Sequence, residues 1–323
     1  MWATKWFWSL HDQLRRVAPE VNVLLSTYNG SRFLSEQLDS IVRQTCSNLV
    51  ITVRDDGSTD NSPEILGSYA SRYNNIDILR GSGRRLGIVD SFFELLRMAG
   101  ERSQYFAFAD QDDIWVPDKL DVAISRLSAL SPAVPALYCS RVEYVDKNLR
   151  HLGYSRVPKY VGFSNALVEN VAPGCTFVIN QAARKLLLQT APGAGIIMHD
   201  WWDYLVVSAF GQIVYDPDPT VRYRQHSTNQ IGSGHTQLTR IVRRLGRFGR
   251  RGRSAYTPSL QARAFLRSYG GSLCETNRTV AERFVESKSS LLRRLSYALS
   301  GPVRRQSAGD ELLLRVLILL NRY

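Results

Sequence analysis

Short apolar runs alternate with amphipathic stretches along the first 130 residues. Val21 to Ser26 is a β-branched and leucine run that ends in Thr27-Tyr28-Asn29-Gly30, which reads as a strand followed by a turn. From Phe33 to Gln44, Phe33, Leu34, Leu38, Ile41 and Val42 fall on one helical face. Leu49 to Arg54 is a second strand, closed by Asp55-Asp56-Gly57-Ser58. Ser62 then precedes Pro63, an N-cap and first-turn pair for a helix running to Tyr73. The alternation continues with Ile76 to Leu79 as strand, Ile88 to Met98 as helix, Tyr105 to Ala109 as strand and Pro117 to Leu130 as helix. This rhythm predicts βαβ units, hence an α/β fold with a mainly parallel sheet flanked by helices. The polar clusters Thr27–Gly30, Asp55–Ser58 and Asp110–Asp113 sit at predicted strand ends, where such sheets bind ligands.

After Ser131 the pattern becomes mixed. Leu137 to Tyr144, Cys175 to Ile179 and Gln212 to Tyr215 read as strands, and a helix starts near Asp200. From about Gly232 onward Gly, Ser and Arg dominate, with amphipathic stretches at Leu291–Leu299 and Leu312–Leu320. Three segments follow: 1–20, 21–232 as the α/β domain, and 233–323 as a basic, mostly helical extension. In the first, Trp2, Trp6, Leu10 and Leu14 recur at four-residue spacing, which suits an interfacial helix or one docked on the protein itself.

Composition refines this picture in two places. The formal charge of +12 is concentrated: Arg240 to Arg305 holds sixteen Lys and Arg against three acids, so the rest of the chain is near neutral. Such a segment suits anionic lipid, nucleic acid or an acidic glycan, or is simply solvated. No apolar run reaches the length of a membrane span, and Met1 to Leu14 does not read as a secretory signal. Cys46, Cys139, Cys175 and Cys274 lack metal or disulfide spacing, which suits a reducing cytosol.

Two clusters carry candidate chemistry. In Asp110-Gln111-Asp112-Asp113, three carboxylates within four residues repel one another unless a cation shares them, and hard divalent ions take such oxygens. The plainer reading is an acidic turn ahead of the next helix. In Asp55-Asp56-Gly57-Ser58-Thr59-Asp60, a strand-end carboxylate suits a ribose or base, while an Asp-Gly turn with capping residues is the alternative.

With Ser26–Gly30, these pieces resemble the family 2 glycosyltransferases of GT-A fold. The matching segments are VLLSTYNG at 23–30, VRDDGSTDNS at 53–62, FADQDDIW at 108–115, GCTFVIN at 174–180 and HDWWDYLVVSAFG at 199–211. The DQDDIW and HDWW segments are most similar to the rhamnosyltransferase-like branch, which builds bacterial surface polysaccharides such as O-antigen. The resemblance implies that Thr27, Asp56 and Asp110 bind the nucleotide, with Asp56 toward uracil or thymine. It implies a Mg²⁺ or Mn²⁺ ion held by Asp110 and Asp112, with His226 completing the sphere or touching the diphosphate. Asp200 would be the general base, in the second position of an acidic pair whose first place is taken here by His199. Asp203, one turn on, is the alternative base. Arg224 would assist with phosphate, and Arg85 would stand near the nucleotide. Trp115, Trp201 and Trp202 are either sugar-stacking residues or core.

One base and one metal imply a single displacement with inversion. The implied donor is dTDP-L-rhamnose or a UDP-hexose. The implied acceptor is a lipid-linked saccharide at the inner face of the cytoplasmic membrane, with peripheral attachment to anionic lipid. Two other classes compete. A sugar-phosphate nucleotidyltransferase would show a Gly-rich basic loop after the first strand, and Thr27 to Ser31 has one Gly. A nucleic-acid-binding protein would act through the basic tail, but the α/β part carries no nucleic-acid module, so no nucleic-acid partner is expected.

Overall fold

The structure is a computed structural model that describes residues 20–79, 85–190, 195–225 and 257–323. The N-terminal amphipathic segment, the boundary near Gly232, the arginine run before Thr257 and His226 lie outside the described residues.

β1 (Val21–Thr27) lies at the centre of the parallel half of the sheet. Val21, Val23, Leu24 and Leu25 have no solvent exposure, as expected of a strand covered on both faces. It pairs in parallel with β2 (Leu49–Asp55) on one side and β4 (Tyr105–Ala109) on the other. β3 (Ile76–Ile78) extends the β2 edge. Beyond β4 the sheet becomes mixed. β8 (Val178–Asn180) is antiparallel to β4 and to β6 (Ala136–Val145), and β6 runs parallel to β9 (Gln212–Arg224). β5 (Ile114–Trp115) and β7 (His151–Tyr154) add short antiparallel pairings to β9 and β6. The order is β3-β2-β1-β4-β8-β6-β9-β5, and the long ladders are parallel.

β1 connects to β2 in one direction while its other neighbour is β4, so a topological switch point lies between the ends of β1 and β4. The register aligns Thr27 with Asp55 and Leu25 with Ala109. The three polar clusters therefore emerge at one edge of the sheet.

The two faces bury different helices. Val23, Leu25, Ile51 and Val53 pack under α1 (Leu34–Val42), α2 (Ser62–Arg72) and α4 (Lys119–Ser128). Leu24, Phe106 and Phe108 pack under α3 (Ile88–Met98), α6 (Gln181–Leu187) and α7 (His199–Phe210). The short α5 (Phe163–Ala166) sits beside α7. The chain closes with α8 (Pro258–Tyr269), α9 (Glu275–Glu286), α10 (Leu291–Ser300) and α11 (Ala308–Leu319). Thr257, Ser290 and Ser307 cap α8, α10 and α11 by accepting from the amides of Leu260, Arg293 and Asp310. Phe265 of α8 packs against Phe163 and Trp202, so these helices share the core of the α7 face.

Three local expectations change. The segment expected as a strand from Cys175 begins as a 3₁₀ turn over Gly174–Thr176, and the strand starts at Val178. β9 runs to Arg224, nine residues beyond Tyr215, because its ladder with β6 resumes after shifts near Ser140 and Arg141. Pro217 and Pro219, which lack amide donors, sit at that irregularity and hide the strand from a pattern reading. Ser62 starts α2 but does not cap it: its Oγ accepts from the Gly30 amide at 2.9 Å.

Candidate active site

Side chains tie the loops after β1 and β2 into one unit. The Asn29 amide donates to Ser58 Oγ at 2.8 Å, and Asn29 Oδ1 accepts from the Thr59 amide at 2.7 Å. The Ser31 amide donates to Asp60 Oδ2 at 2.9 Å. Asn29 takes a positive φ of 49°, in the left-handed region where asparagine is tolerated. Gln111, from the loop after β4, closes the third side. Its Oε1 accepts from Thr27 Oγ1 and from the Tyr28 amide, each at 2.8 Å. Gly30 has no room for a side chain there, because a Cβ would overlap the Gln111 carboxamide.

Asp56 is 4% exposed, and its carboxylate is already engaged. Oδ1 accepts from the Leu86 amide and from Arg54 Nη1, both at 2.6 Å, and Oδ2 accepts from the Gly87 amide at 2.7 Å. Burial works against ionisation here. The Leu86 amide, Arg54 and the Gly87 amide outweigh it and hold the carboxyl below its ordinary range. Asp56 thus pins the segment leading into α3. Arg85, beside that segment, stacks over the Tyr28 ring at 3.8 Å.

The carboxylate cluster after β4 divides in an unexpected way. Asp110 is pushed up to about 8 by burial and by the charges of Asp112 and Asp200. Asp113, 1% exposed, is raised by burial and by its two neighbours, although its Oδ1 accepts from the Arg224 amide at 3.1 Å. Its Oδ2 has no hydrogen-bond partner among the described residues. Ligand atoms of Asp110, Asp113 and Cys175 lie within 4.8 Å of one another. Cys175 is buried and its thiol is raised by that burial, so it packs as a neutral group beside Asp113. The phenol of Tyr223 is raised by burial and by the charges of Asp113, Asp110 and Asp112, which puts it beside the same cluster. This accumulation of carboxylates fits a divalent cation: an uncompensated acid group is costly unless a positive charge shares it.

Asp200 occupies the first turn of α7 and is 6% exposed. Its Oδ2 accepts from the Gly174 amide at 3.0 Å and its Oδ1 from the Trp201 amide at 2.7 Å. Burial raises it to about 6, against the pull of these two amides. Gly174 lies so close that a Cβ would sit 2.9 Å from both Asp200 Cβ and His199 Nε2. His199 lies flat on Phe92, ring centroids 3.9 Å apart, and burial pushes it down to about 3. It is neutral, and neither ring nitrogen has a partner among the described residues. Asp203 is raised well above its ordinary value by burial and by Asp200. Its influence on Tyr269 of α8 puts it toward the C-terminal helices.

Other residues singled out in the sequence are used structurally. Arg224 does not present its guanidinium to a phosphate. It donates to the backbone oxygens of Asp112 and Lys147 at 2.8 and 2.9 Å and to Glu36 Oε2 at 2.7 Å, and lies over the Phe33 ring. Trp115 and Trp202 are each 2% exposed and belong to the two cores. Trp201 is half-buried and donates from Nε1 to the Ala166 oxygen at 2.6 Å. Lys119 is fully buried over the Trp115 ring, and burial lowers it to about 7. Gln111, Asp113 in its buried place and Tyr223 were not assigned roles from sequence; Gly174, expected with Cys175 and Thr176 to shape the sugar pocket through its backbone, donates its amide to Asp200. The alternation of β9 would have pointed Tyr223 to one face only if the strand had been followed past Pro219.

Comparisons with known proteins agree with this geometry. The model of the family described as "Glycosyl transferase family 2" matches residues 22–187. The dTDP-rhamnosyl transferase RfbG of Shigella flexneri is 33% identical over 223 residues, covering 65% of this chain and 74% of that protein. Among solved structures, S. aureus TarS 1-349 in complex with UDP-GlcNAc superposes with a TM-score of 0.58 at 15% identity, covering 94% of this chain and 81% of that one. The mannosyltransferase PcManGT from Pyrobaculum calidifontis, in complex with GDP-Man and Mn²⁺, gives 0.51 at 19% identity, covering 98% and 93%. These structural likenesses speak to the fold.

Proposed function

The chain belongs to glycosyl transferase family 2, and from that premise we propose that it moves one sugar from a pyrimidine nucleoside-diphosphate donor to an acceptor hydroxyl, with inversion. The donor we assign is dTDP-L-rhamnose, supported by the likeness to RfbG, with a UDP-hexose as the second choice. The acceptor is a lipid-linked precursor of a bacterial surface polysaccharide, met at the inner face of the cytoplasmic membrane and helped by attachment of the basic tail to anionic lipid. The catalytic unit is residues 21–232, flanked by 1–20 and 233–323. Membership of the family displaces the nucleotidyltransferase reading.

The observation that carries the proposal is the convergence of two acid groups at the carboxyl end of β4. Asp200 is aimed by two backbone amides, and its charge is felt by Asp110 at the end of β4. Thr27 and Asp56 line the nucleotide end. Asp110 and Asp112 would hold a Mg²⁺ or Mn²⁺ ion, with His226 as a third ligand; a bound cation offsets the charge developing on the departing diphosphate. Asp200 takes the acceptor proton as the oxygen attacks the anomeric carbon. The Gly174 and Trp201 amides fix the position of Asp200, so the proton is received at a set point. No second carboxylate is required as nucleophile, since the bond to the donor is broken in one displacement.

Calorimetric binding of dTDP, UDP and GDP, with and without Mn²⁺, tests this on wild type and Asp112→Ala. Metal-dependent binding of one pyrimidine diphosphate, weakened about tenfold or more in the variant, is the expected result. Equal binding of all three nucleotides, indifferent to metal and to the substitution, overturns it.

A further inference from the structure

The outward faces of α10 and α11 invert the usual surface pattern. On α10, Leu291, Leu292, Leu295 and Leu299 are 57%, 79%, 41% and 88% exposed. Tyr297, on the opposite side of the helix, is its buried residue. On α11, Leu312, Val316 and the C-cap Leu320 recur at four-residue spacing and are 66%, 42% and 61% exposed, while Leu314 and Ile318 take the buried side. The two helices pack against each other. Single exposed leucines need no explanation, but two neighbouring rows of them mark a docking surface.

The charge around the rows identifies what docks. Residues 257–323 carry eleven Lys and Arg against five Asp and Glu. Several acids are matched within the segment: Glu286 pairs with Arg293, and Glu311 with Arg304 and Arg315. On α10 Arg293 is exposed next to the row, while Arg294 is half-buried and donates to the Lys288 oxygen, and Arg322 is exposed at the end of α11. A second copy of the chain would set one positive face against another, which opposes self-association. An anionic lipid surface complements both the leucines and the arginines. Among the described residues no helix is long and apolar enough to cross a membrane, so these helices would lie in its plane.

The face is also tied to the site. Gln306, just before α11, accepts from the Lys159 and Tyr160 amides at 2.8 and 3.1 Å and donates to the Tyr160 oxygen at 2.6 Å. That strap carries the exposed Val157, Tyr160 and Val161 and leads into α5, whose Ala166 oxygen holds Trp201 beside Asp200.

We propose that α10 and α11 form a membrane-docking face that settles into the headgroup region of an anionic bilayer, leucines toward the acyl chains and arginines among the phosphates. The inference deepens the proposed function and rests on it for the lipid-linked acceptor.

Co-sedimentation of the full chain with vesicles tests it. Vesicles of phosphatidylglycerol mixed with phosphatidylcholine are compared with phosphatidylcholine alone, for wild type and Leu292→Gln/Leu299→Gln. These two side chains are the most exposed of the rows, so their replacement spares the fold. The expected result is tight binding only to the anionic vesicles, with partitioning about tenfold or more weaker in the double variant. A Leu299→Trp variant should add tryptophan emission that brominated lipid quenches. Equal binding of wild type and double variant, no binding by wild type, or no preference for the anionic lipid each overturns the proposal. So does a change in oligomeric state on substitution, which would make the face a contact between copies. Nucleotide binding is measured on the same proteins without vesicles, so a failed donor assignment is read separately from a failed docking face.

Discussion

Asp200, the base of the proposed mechanism, owes its raised pKa to where it is buried. An exposed aspartate ionises near 3.8, too weak a base to take a hydroxyl proton efficiently; burial brings this one to about 6, while the Trp201 and Gly174 amides keep it from rising further. The competent form is the carboxylate, so kcat/KM should be level above pH 6 and fall about tenfold per pH unit below it. Asp200→Asn should lower kcat about a hundredfold to ten-thousandfold and remove that limb, while nucleotide diphosphate binding persists. A variant that keeps the acid limb would assign it to another group. The same shift has a stability side. The folded chain holds the proton more tightly than the unfolded one, so this group's favourable contribution is complete below about 3.8 and is lost as pH rises through 6. In the proposed mechanism this position serves chemistry at some expense to the fold.

Among the elements, the Gln111 carboxamide joins the loop after β4 to the loop after β1, which other side chains tie to the loop after β2. Gly30→Ala would drive a Cβ into Gln111 and loosen its bonds to Thr27 and Tyr28. A loss of about 1–3 kcal/mol is expected, measured by denaturant melts, with weaker nucleotide binding. Adding Gln111→Ala to Gly30→Ala should recover part of the loss, because the overlap is gone; strict additivity of the two would show that they do not touch. At this scale the sequence was informative wherever burial was periodic. β1, β2 and β4 are apolar runs with polar ends, and α1 and α3 carry clear apolar faces, so their places could be read directly. β5 and β7, of two and four residues, are too short to leave a period. The acids at 110, 112 and 113 were visible as a cluster. That Asp113 is the one sealed against Cys175 depends on β8 and β9, whose arrival there is a matter of tertiary packing. Arg224 looked like a phosphate ligand because an arginine beside a strand end often is one. Its neighbours Glu36 and Phe33, far away in the chain, decided otherwise.

Taken as a whole molecule, the C-terminal helices do not form a separate body. Phe265, fully buried, joins α8 to Phe163 and Trp202, and Phe284, Tyr297 and Tyr323 continue the same cluster. Phe265→Ala should therefore destabilise the site-bearing α7 as much as the tail, by about 3–5 kcal/mol, and melting should remain one transition by circular dichroism and by tryptophan emission. Two separated transitions would show the helices to be an independent unit. The basic composition of this region suggested an appendage; its aromatic residues, spaced at helical intervals, make it part of the support for Asp200.

The bonds between the loops after β1 and β2 also bear on how donor preference can change. Asn29, Ser58, Thr59, Ser62 and Asp60 hold one another, and Asp56 holds Leu86 and Gly87. Each is a crosslink before it is a contact for any nucleotide, so altering one to suit a new base unfastens the scaffold around it. In the proposed donor site, redesign has more freedom at the Tyr28–Arg85 stack, where the exposed Arg85 lies over the half-buried Tyr28 ring. A library aimed at new sugar nucleotides would keep the crosslinked loops constant and vary that stack first.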